Sequence, residues 1–295
     1  MTSHRPRPRK SLGQHFLIDP NIVRKIMRLA ALQPNETVLE IGPGRGILTR
    51  ALCAEAQTVI AVELDQKLSD DLAEELAGSH NLDLRTGDGL AFPYDTLPLG
   101  TVVVANLPYY VSTPLLFNLF DARVRIDRMI LMLQTEVARR LVAKPGTPDY
   151  GILSVLTQYW VEASLAFRVS ASCFRPSPNV GSSVVKLVTR TQPVAHTVHE
   201  ASFVRVVRAA FAHRRKTLAN SLRDEGFQSE PIALALARVG IESSQRAERL
   251  SIEEFLALAE VLAMPEVDDG MRSHKPSWVR GPDAQRFRPL GRSVV

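Results

Sequence analysis

Four times before Tyr110, a short apolar run stops at a glycine turn or a polar side chain. Thr37 to Ile41 leads into Gly42-Pro43-Gly44-Arg45-Gly46, and Thr58 to Val62 into Glu63-Leu64-Asp65. Leu82 to Arg85 leads into Gly87-Asp88-Gly89, and Thr101 to Ala105 into Asn106-Leu107-Pro108-Tyr109. Helical stretches at about 47–56, 66–77 and 114–120 alternate with these runs. That alternation predicts βαβ units and an α/β, doubly wound, mostly parallel sheet. Right-handed crossovers then bring all four polar turns to the carboxyl edge of the sheet, where such folds place their ligands.

The other elements follow from local signals. Asp19-Pro20 reads as an N-cap with proline at the first helical position, opening an amphipathic helix over 20–31 that covers the front of the sheet. Ser112-Thr113-Pro114 is expected to cap the helix at 114–120, and Met129 to Leu133 to form a fifth strand. A helix through Leu141 and another over 151–160 follow. A hairpin begun near 164–169 and closed by Val184 to Val188 gives the sheet an antiparallel edge. Leu12 to Leu17 reads as neither a good helix nor a good strand. Thr191-Gln192-Pro193 marks a boundary, giving a sheet domain over 11–192 and a small all-α domain over 193–264, with helices near 200–212, 214–224, 231–239 and 252–263. Ser251 and Glu254 form a capping box for the last. Residues 1–10 read as a disordered basic arm and 265–295 as a flexible tail.

Composition removes several classes. Hydrophobic content of 45% and charged content of 23% are those of a globular protein, with no apolar stretch long enough to span a bilayer and no secretory signal at the N-terminus. Cys53 and Cys173 have neither metal-ligand spacing nor a partner pattern and read as reduced thiols of a cytoplasmic protein; no metal is expected. The net charge of +5 favours a polyanionic partner, with basic clusters at Arg5, Arg7, Arg9 and Lys10 and again at Arg214, Arg215 and Lys216.

The strand ends specify the chemistry. Gly42-x-Gly44-x-Gly46 is not the dinucleotide fingerprint, and no P-loop lysine follows it, so the turn suits a nucleoside rather than a triphosphate. Glu63 is placed to accept both ribose hydroxyls, and Asp88 to accept from an adenine amino group. This ordered set describes a pocket for an adenosine without phosphates: S-adenosylmethionine. A nicotinamide dehydrogenase is the competitor, but no catalytic His or Tyr–Lys pair is evident. Asn106 Oδ1 and the Leu107 carbonyl, fixed by Pro108, can accept both protons of an exocyclic amine while Tyr109 stacks on the base. Phe174, on the proline-rich loop Phe174-Arg175-Pro176-Ser177-Pro178, is a candidate for the other face of that base or, equally, a core residue.

Five motifs carry a resemblance: Leu12-Gly13-Gln14-His15-Phe16-Leu17, Glu40-Ile41-Gly42-Pro43-Gly44, Asn106-Leu107-Pro108-Tyr109, Phe174-x-Pro176-x-Pro178-x-Val180-x-Ser182 and Phe211-x-x-Arg214-Arg215-Lys216-Thr217. From about Lys10 to Leu262 the chain resembles the small-subunit rRNA adenine dimethyltransferases, the KsgA/RsmA family. The resemblance implies a Rossmann-like methyltransferase, probed by cofactor contacts from Gln14, His15, Leu17, Gly42, Gly44, Glu63, Leu64, Asp88, Gly89 and Asn106. It implies catalysis by Asn106, Leu107, Pro108 and Tyr109, and substrate contacts from Tyr109, Phe174, Arg214, Arg215 and Lys216. Two adjacent adenosines near the 3′ end of small-subunit rRNA, within a pre-30S particle, are the implied target of a monomeric enzyme with a role in small-subunit biogenesis. The family's best-known pattern has Asn at position 15, so His15 makes its contact by backbone or by an imidazole nitrogen; Tyr110 likewise stands where a polar residue is more usual. Arg205, Arg208 and Arg215 are spaced to share a helical face with the basic motif if that helix continues, so as to track RNA phosphates. Methylation of large-subunit rRNA or DNA, and a non-catalytic assembly role, are the alternatives.

Overall fold

The computed structural model describes residues 14–191, 194, 200–213 and 215–263; the expected arm, the expected tail and Arg214 lie outside these. Strands β2 (Thr37–Ile41), β3 (Thr58–Glu63), β4 (Leu82–Thr86), β5 (Thr101–Asn106) and β6 (Ile126–Gln134) are mutually parallel neighbours in a seven-stranded sheet, with β7 (Val161–Val169) and β9 (Ser182–Thr189) beyond them. The order is β4-β3-β2-β5-β6-β9-β7, and β9 runs antiparallel to both neighbours. The order reverses direction between β2 and β5, so their carboxyl ends diverge there and leave a crevice.

Side-chain alternation along the strands makes the two layers. Leu39, Ile41, Val103, Ala105, Met129 and Leu131 face one apolar cluster, while Val38, Val102, Val104, Ile130 and Met132 face the other. With the side-chain period of two, each strand is apolar on both faces, as a sheet covered on both sides requires. The second face is covered by α1 (Pro20–Ala30) and α2 (Ile47–Glu55), through Ile22, Val23, Ile26 and Met27 of the first and Leu48 and Leu52 of the second. Asp19 Oδ1 accepts from Asn21 N at 2.8 Å and caps α1 at its proline start. Helix α3 (Gln66–Glu75) joins β3 to β4, and α4 (Ser112–Asp121) joins β5 to β6. The start of α4 differs from expectation: Ser112 is inside the helix, and its hydroxyl donates to the Tyr109 carbonyl (3.3 Å) instead of capping.

Helices α5 (Thr135–Val142) and α6 (Ile152–Trp160) pack on the first face, which continues without a break into the helices after residue 200: α7 (Glu200–Phe211), α8 (Leu218–Asp224), α9 (Ser229–Val239) and α10 (Ile252–Leu262). The Ser251–Glu254 capping box is formed reciprocally at the start of α10. Helix α7 stops at Phe211 and α8 begins only at Leu218 with Thr217 as its N-cap, so Arg205, Arg208 and Arg215 do not lie on one continuous helical face. The threonine hydroxyl competes for the amide of Asn220 and starts a new helix instead of prolonging the old one.

The segment before α1 is the other departure. Phe16–Leu17 forms a two-residue strand, β1, paired antiparallel with β8 (Phe174–Arg175) in a separate small sheet. This clasp lays the N-terminal segment across the front of the molecule.

Candidate active site

The Gly42–Gly46 turn needs its glycines for backbone reasons. Gly42, Gly44 and Gly46 have φ of 71°, 57° and 70°, a region costly for side-chain-bearing residues. A Cβ on Gly46 would meet Leu72 Cδ1 at 2.3 Å, and one on Gly44 would meet the Phe16 ring at 3.0 Å. The turn is tied to the next strand end, because Gly44 N donates to Glu63 Oε2 (2.9 Å) while Asp65 N donates to Glu63 Oε1 (2.9 Å). Glu63 is buried, and burial pushes its carboxyl up while those amides pull it down. At the end of β4, Asp88 Oδ1 accepts from Leu90 N (2.8 Å), fixing the turn that presents Gly89.

Asn106 ends β5. Its Nδ2 donates to the His15 carbonyl (3.4 Å), and its Oδ1 is buried with no hydrogen-bond partner among the described residues. Leu107 N donates to the Met132 carbonyl of β6 (3.1 Å), which holds the turn to the sheet. The Tyr109 hydroxyl hydrogen-bonds Ser182 Oγ at 2.5 Å, and its ring stacks on His15 with centroids 5.6 Å apart and planes inclined by 30°. His15 Nδ1 donates to the Pro176 carbonyl (2.8 Å), so the imidazole is pinned between the clasp loop and the Asn106–Tyr109 turn.

Gln14, His15, Leu17, Gly42, Gly44, Glu63, Leu64, Asp88, Gly89, Asn106, Leu107, Pro108 and Tyr109 all line one cavity at the crevice. Phe174 does not. It is 3% exposed and packs in the cluster of Leu17, Ile22, Val23 and Ile26, because its pairing with Leu17 turns the ring into the front core. The expectation that it covers a bound base is therefore corrected in favour of the core role. Arg215 and Lys216 are exposed in the helical part and do not line this cavity, and Lys216 pairs with Asp224. Arg205 lies 4.7 Å over the Phe227 ring, and Arg208 is half-buried.

The sequence reading missed Glu40, Arg45 and Tyr110, which also line the cavity. Glu40 is 1% exposed, and burial pushes its carboxyl up to about 8, with Glu63 adding to the rise. Only its place one residue before Ile41, an acid inside an apolar strand, could have signalled this. Ser182 carries no sequence signal for its bond to Tyr109, since strand register decides it.

The donor set suits an adenosine. The wall offers the acceptors Glu63, Asp88 and Asn106 Oδ1, and among its described residues a single Arg and no Lys. That is a poor phosphate site and a good one for hydroxyls and amines. Among the described residues no group of three or more His, Cys, Asp or Glu could hold a metal, and no helix is long and apolar enough to cross a membrane. A doubly wound sheet whose carboxyl edge carries a cation-poor cavity beside an Asn-Leu-Pro-Tyr turn is a Rossmann-like architecture with donors and acceptors suited to a nucleoside.

Comparison with known proteins narrows the class. The family model described as ribosomal RNA adenine dimethylase matches residues 5–264. A Ribosomal RNA small subunit methyltransferase A from Moorella thermoacetica is 47% identical over 266 residues, covering 86% of this chain and 92% of the relative. One from Pelotomaculum thermopropionicum is 44% identical, covering 88% and 93%. Among solved structures, a dimethyladenosine transferase from Plasmodium falciparum superposes with a TM-score of 0.72 at 27% identity, covering 83% of this chain and 96% of that one. The 23S rRNA methyltransferase ErmE gives 0.65 at 27%, covering 84% and 100%. The chain belongs to the ribosomal RNA adenine dimethylase family, and it is an enzyme.

Proposed function

We propose that the chain transfers methyl groups from S-adenosylmethionine to N6 of two adjacent adenosines in a loop near the 3′ end of small-subunit rRNA, giving N6,N6-dimethyladenosine. The relatives' printed names support the small subunit as target. The observation that carries the chemistry is Asn106 on the cavity wall, with a buried Oδ1 that has no hydrogen-bond partner among the described residues. A buried acceptor without a donor is costly, and a ligand amine would satisfy it.

The cofactor supplies, when bound, an electrophilic sulfonium methyl. Gly42 and Gly44 would allow the backbone to approach that cofactor, Glu63 would accept from its ribose, and Asp88 and Leu64 would hold the cofactor's own adenine. The adenine N6 lone pair is delocalised into its ring, so this chain's contribution is positioning and electrostatics rather than strong base chemistry. Asn106 Oδ1 and the Leu107 carbonyl accept the N6 protons and favour a pyramidal nitrogen. The His15 carbonyl fixes which end of the amide faces the cavity, and Tyr109 stacks on a base that has left its helix. For each methyl gained N6 would give up one proton, which the neutral acceptors would pass to solvent rather than keep.

The helical part, 193–264, is the proposed RNA-contacting domain of a monomer acting in the cytoplasm on a pre-30S particle. Arg215 is its exposed basic residue in the described motif, whereas Lys216 is partly neutralised by Asp224. Arg215→Ala should lower the slope of log affinity against log salt by about 1, and Lys216→Ala by less. Equal slopes in wild type and Arg215→Ala would remove Arg215 from the interface.

The direct test is Asn106→Ala, which should lose on the order of a hundredfold or more in kcat while still binding cofactor. Full-rate methylation by that variant refutes the role. Labelled methyl transfer to undermethylated small subunits, compared with large subunits and duplex DNA, separates the proposal from the two other adenine substrates. Binding to the particle without transfer to any of them would leave a non-catalytic assembly role.

A further inference from the structure

Two helices of the sheet domain carry opposite charge. Helix α1 has Arg24, Lys25 and Arg28 on its exposed side and no acid along its length. Helix α3, which joins β3 to the edge strand β4, exposes Asp70, Asp71, Glu74 and Glu75 against Lys67 alone. The basic face extends beyond α1. Lys25 Nζ lies 5.6 Å over the Phe167 ring of β7, which ties the helix to the hairpin edge. Lys186 of β9 pairs with Ile130 of β6, and directly opposed residues point to one side of a sheet. Ile130 packs in the cluster that α1 covers, so Lys186 stands on the same side as the helix. Among the described residues none of these four cations forms an ion pair, whereas Glu36 is held by Arg128 and Glu162 by Arg190.

This face is continuous with the cavity, because His15, Phe16 and Leu17 line the cavity and α1 starts at Pro20. A solvated helix face ordinarily mixes charges of both signs. A face of one sign beside a site that takes an RNA base has a polyanion as its matching partner. Resting on the reading that the substrate is small-subunit rRNA, we propose that α1 and the β9–β7 hairpin form a second RNA-docking face, separate from the helical part. The ribose–phosphate backbone leading to the target adenosine lies along it. The acidic α3 edge then points away from the RNA, and repulsion there helps to set the orientation in which the cavity meets its base.

The test is a salt series of filter-binding measurements with the full-length chain and undermethylated small subunits. Replacing Arg24→Gln and Arg28→Gln together should lower the slope of log affinity against log salt by about 2, and the affinity on the order of tenfold or more at ~0.1 M salt. Lys186→Gln should lower the slope by about 1, and Lys67→Gln on α3 should leave it unchanged. S-adenosylhomocysteine should bind the double variant within about twofold of wild type, since both changes are at the surface. An unchanged slope in the double variant overturns the proposal, and so does an equal fall in Lys67→Gln, which would report net charge rather than a docked face. A matching loss of S-adenosylhomocysteine affinity overturns it too, by making α1 a support for the cavity. The same series on protein-free small-subunit rRNA should show the same slope changes; changes seen only with whole subunits would assign the face to a protein partner instead. If wild type binds small subunits no better than large ones, the reading of the substrate falls first.

Discussion

Glu40 lies inside a strand with its carboxyl 1% exposed, in a chain whose buried acids are otherwise held by backbone amides. The consequence for pH follows from linkage. Its folded value of about 8 lies above the unfolded value near 4.5, so between those limits the native state binds the extra proton. Stability contributed by this group is therefore lost as pH rises from about 4.5 to 8, and the full cost of a buried charge is borne above that window. Glu40→Gln removes the titration, so its Tm relative to wild type should improve from about pH 5 to pH 8 and level off above that. A Tm difference that does not change with pH would mean that the carboxyl is solvated. Much of the site at this scale was legible because strand ends are punctuated by side chains whose hydrogen-bonding capacity is known from their type. Asn106, Glu63 and Asp88 could be placed at one edge from that punctuation alone. Arg45 and Ser182 could not, since their partners, Phe16 and Tyr109, are brought to them by pairings remote in sequence.

At the level of elements, the pair β1 and β8 decides more than its four residues suggest. Two-residue strands have no period to read, which is why Leu12 to Leu17 had no assignable structure and why Phe174 could be read as facing a ligand. The pairing puts Phe174 wholly into the front core, while Leu17, packed in the same core, joins His15 and Phe16 on the cavity wall. Phe174→Ala should therefore cost about 3–5 kcal/mol of stability, the range for truncating a buried phenylalanine. Phe174→Leu should keep kcat within about threefold at a temperature where it is folded, because no base contact is lost. Denaturant melts give the first quantity and initial-rate assays the second. A hundredfold loss of kcat in a stable Phe174→Leu would return this ring to the substrate side. The basic motif is the opposite case: spacing alone joined Arg208 to Arg215, and the Thr217 cap separates them.

Across the whole molecule, the expected boundary near residue 193 is a change of architecture rather than a gap in the core. One apolar cluster runs from Leu39 and Val103 through Tyr159 and Trp160 to Phe203, Phe255 and Leu258. The seam carries polar fastenings as well: Tyr150 donates its hydroxyl to the Leu250 carbonyl (2.8 Å), and Arg123 pairs with Glu200 at 2.5 Å. Sheet and helices should accordingly unfold together, with a calorimetric to van't Hoff enthalpy ratio of about one. Two resolved transitions would show that the halves melt independently. Composition shifts mark where helices replace strands, but only packing shows whether the surface between them is dry.

The amide of Asn106 hangs from the carbonyl of His15, a residue held in place by the clasp and by Pro176 rather than by the large sheet. Peeling the front strap away would release that amide to rotate. Loss of methyl transfer could then come from a scissor cut or a competing grip at the chain's beginning, with every strand of the main sheet still in register.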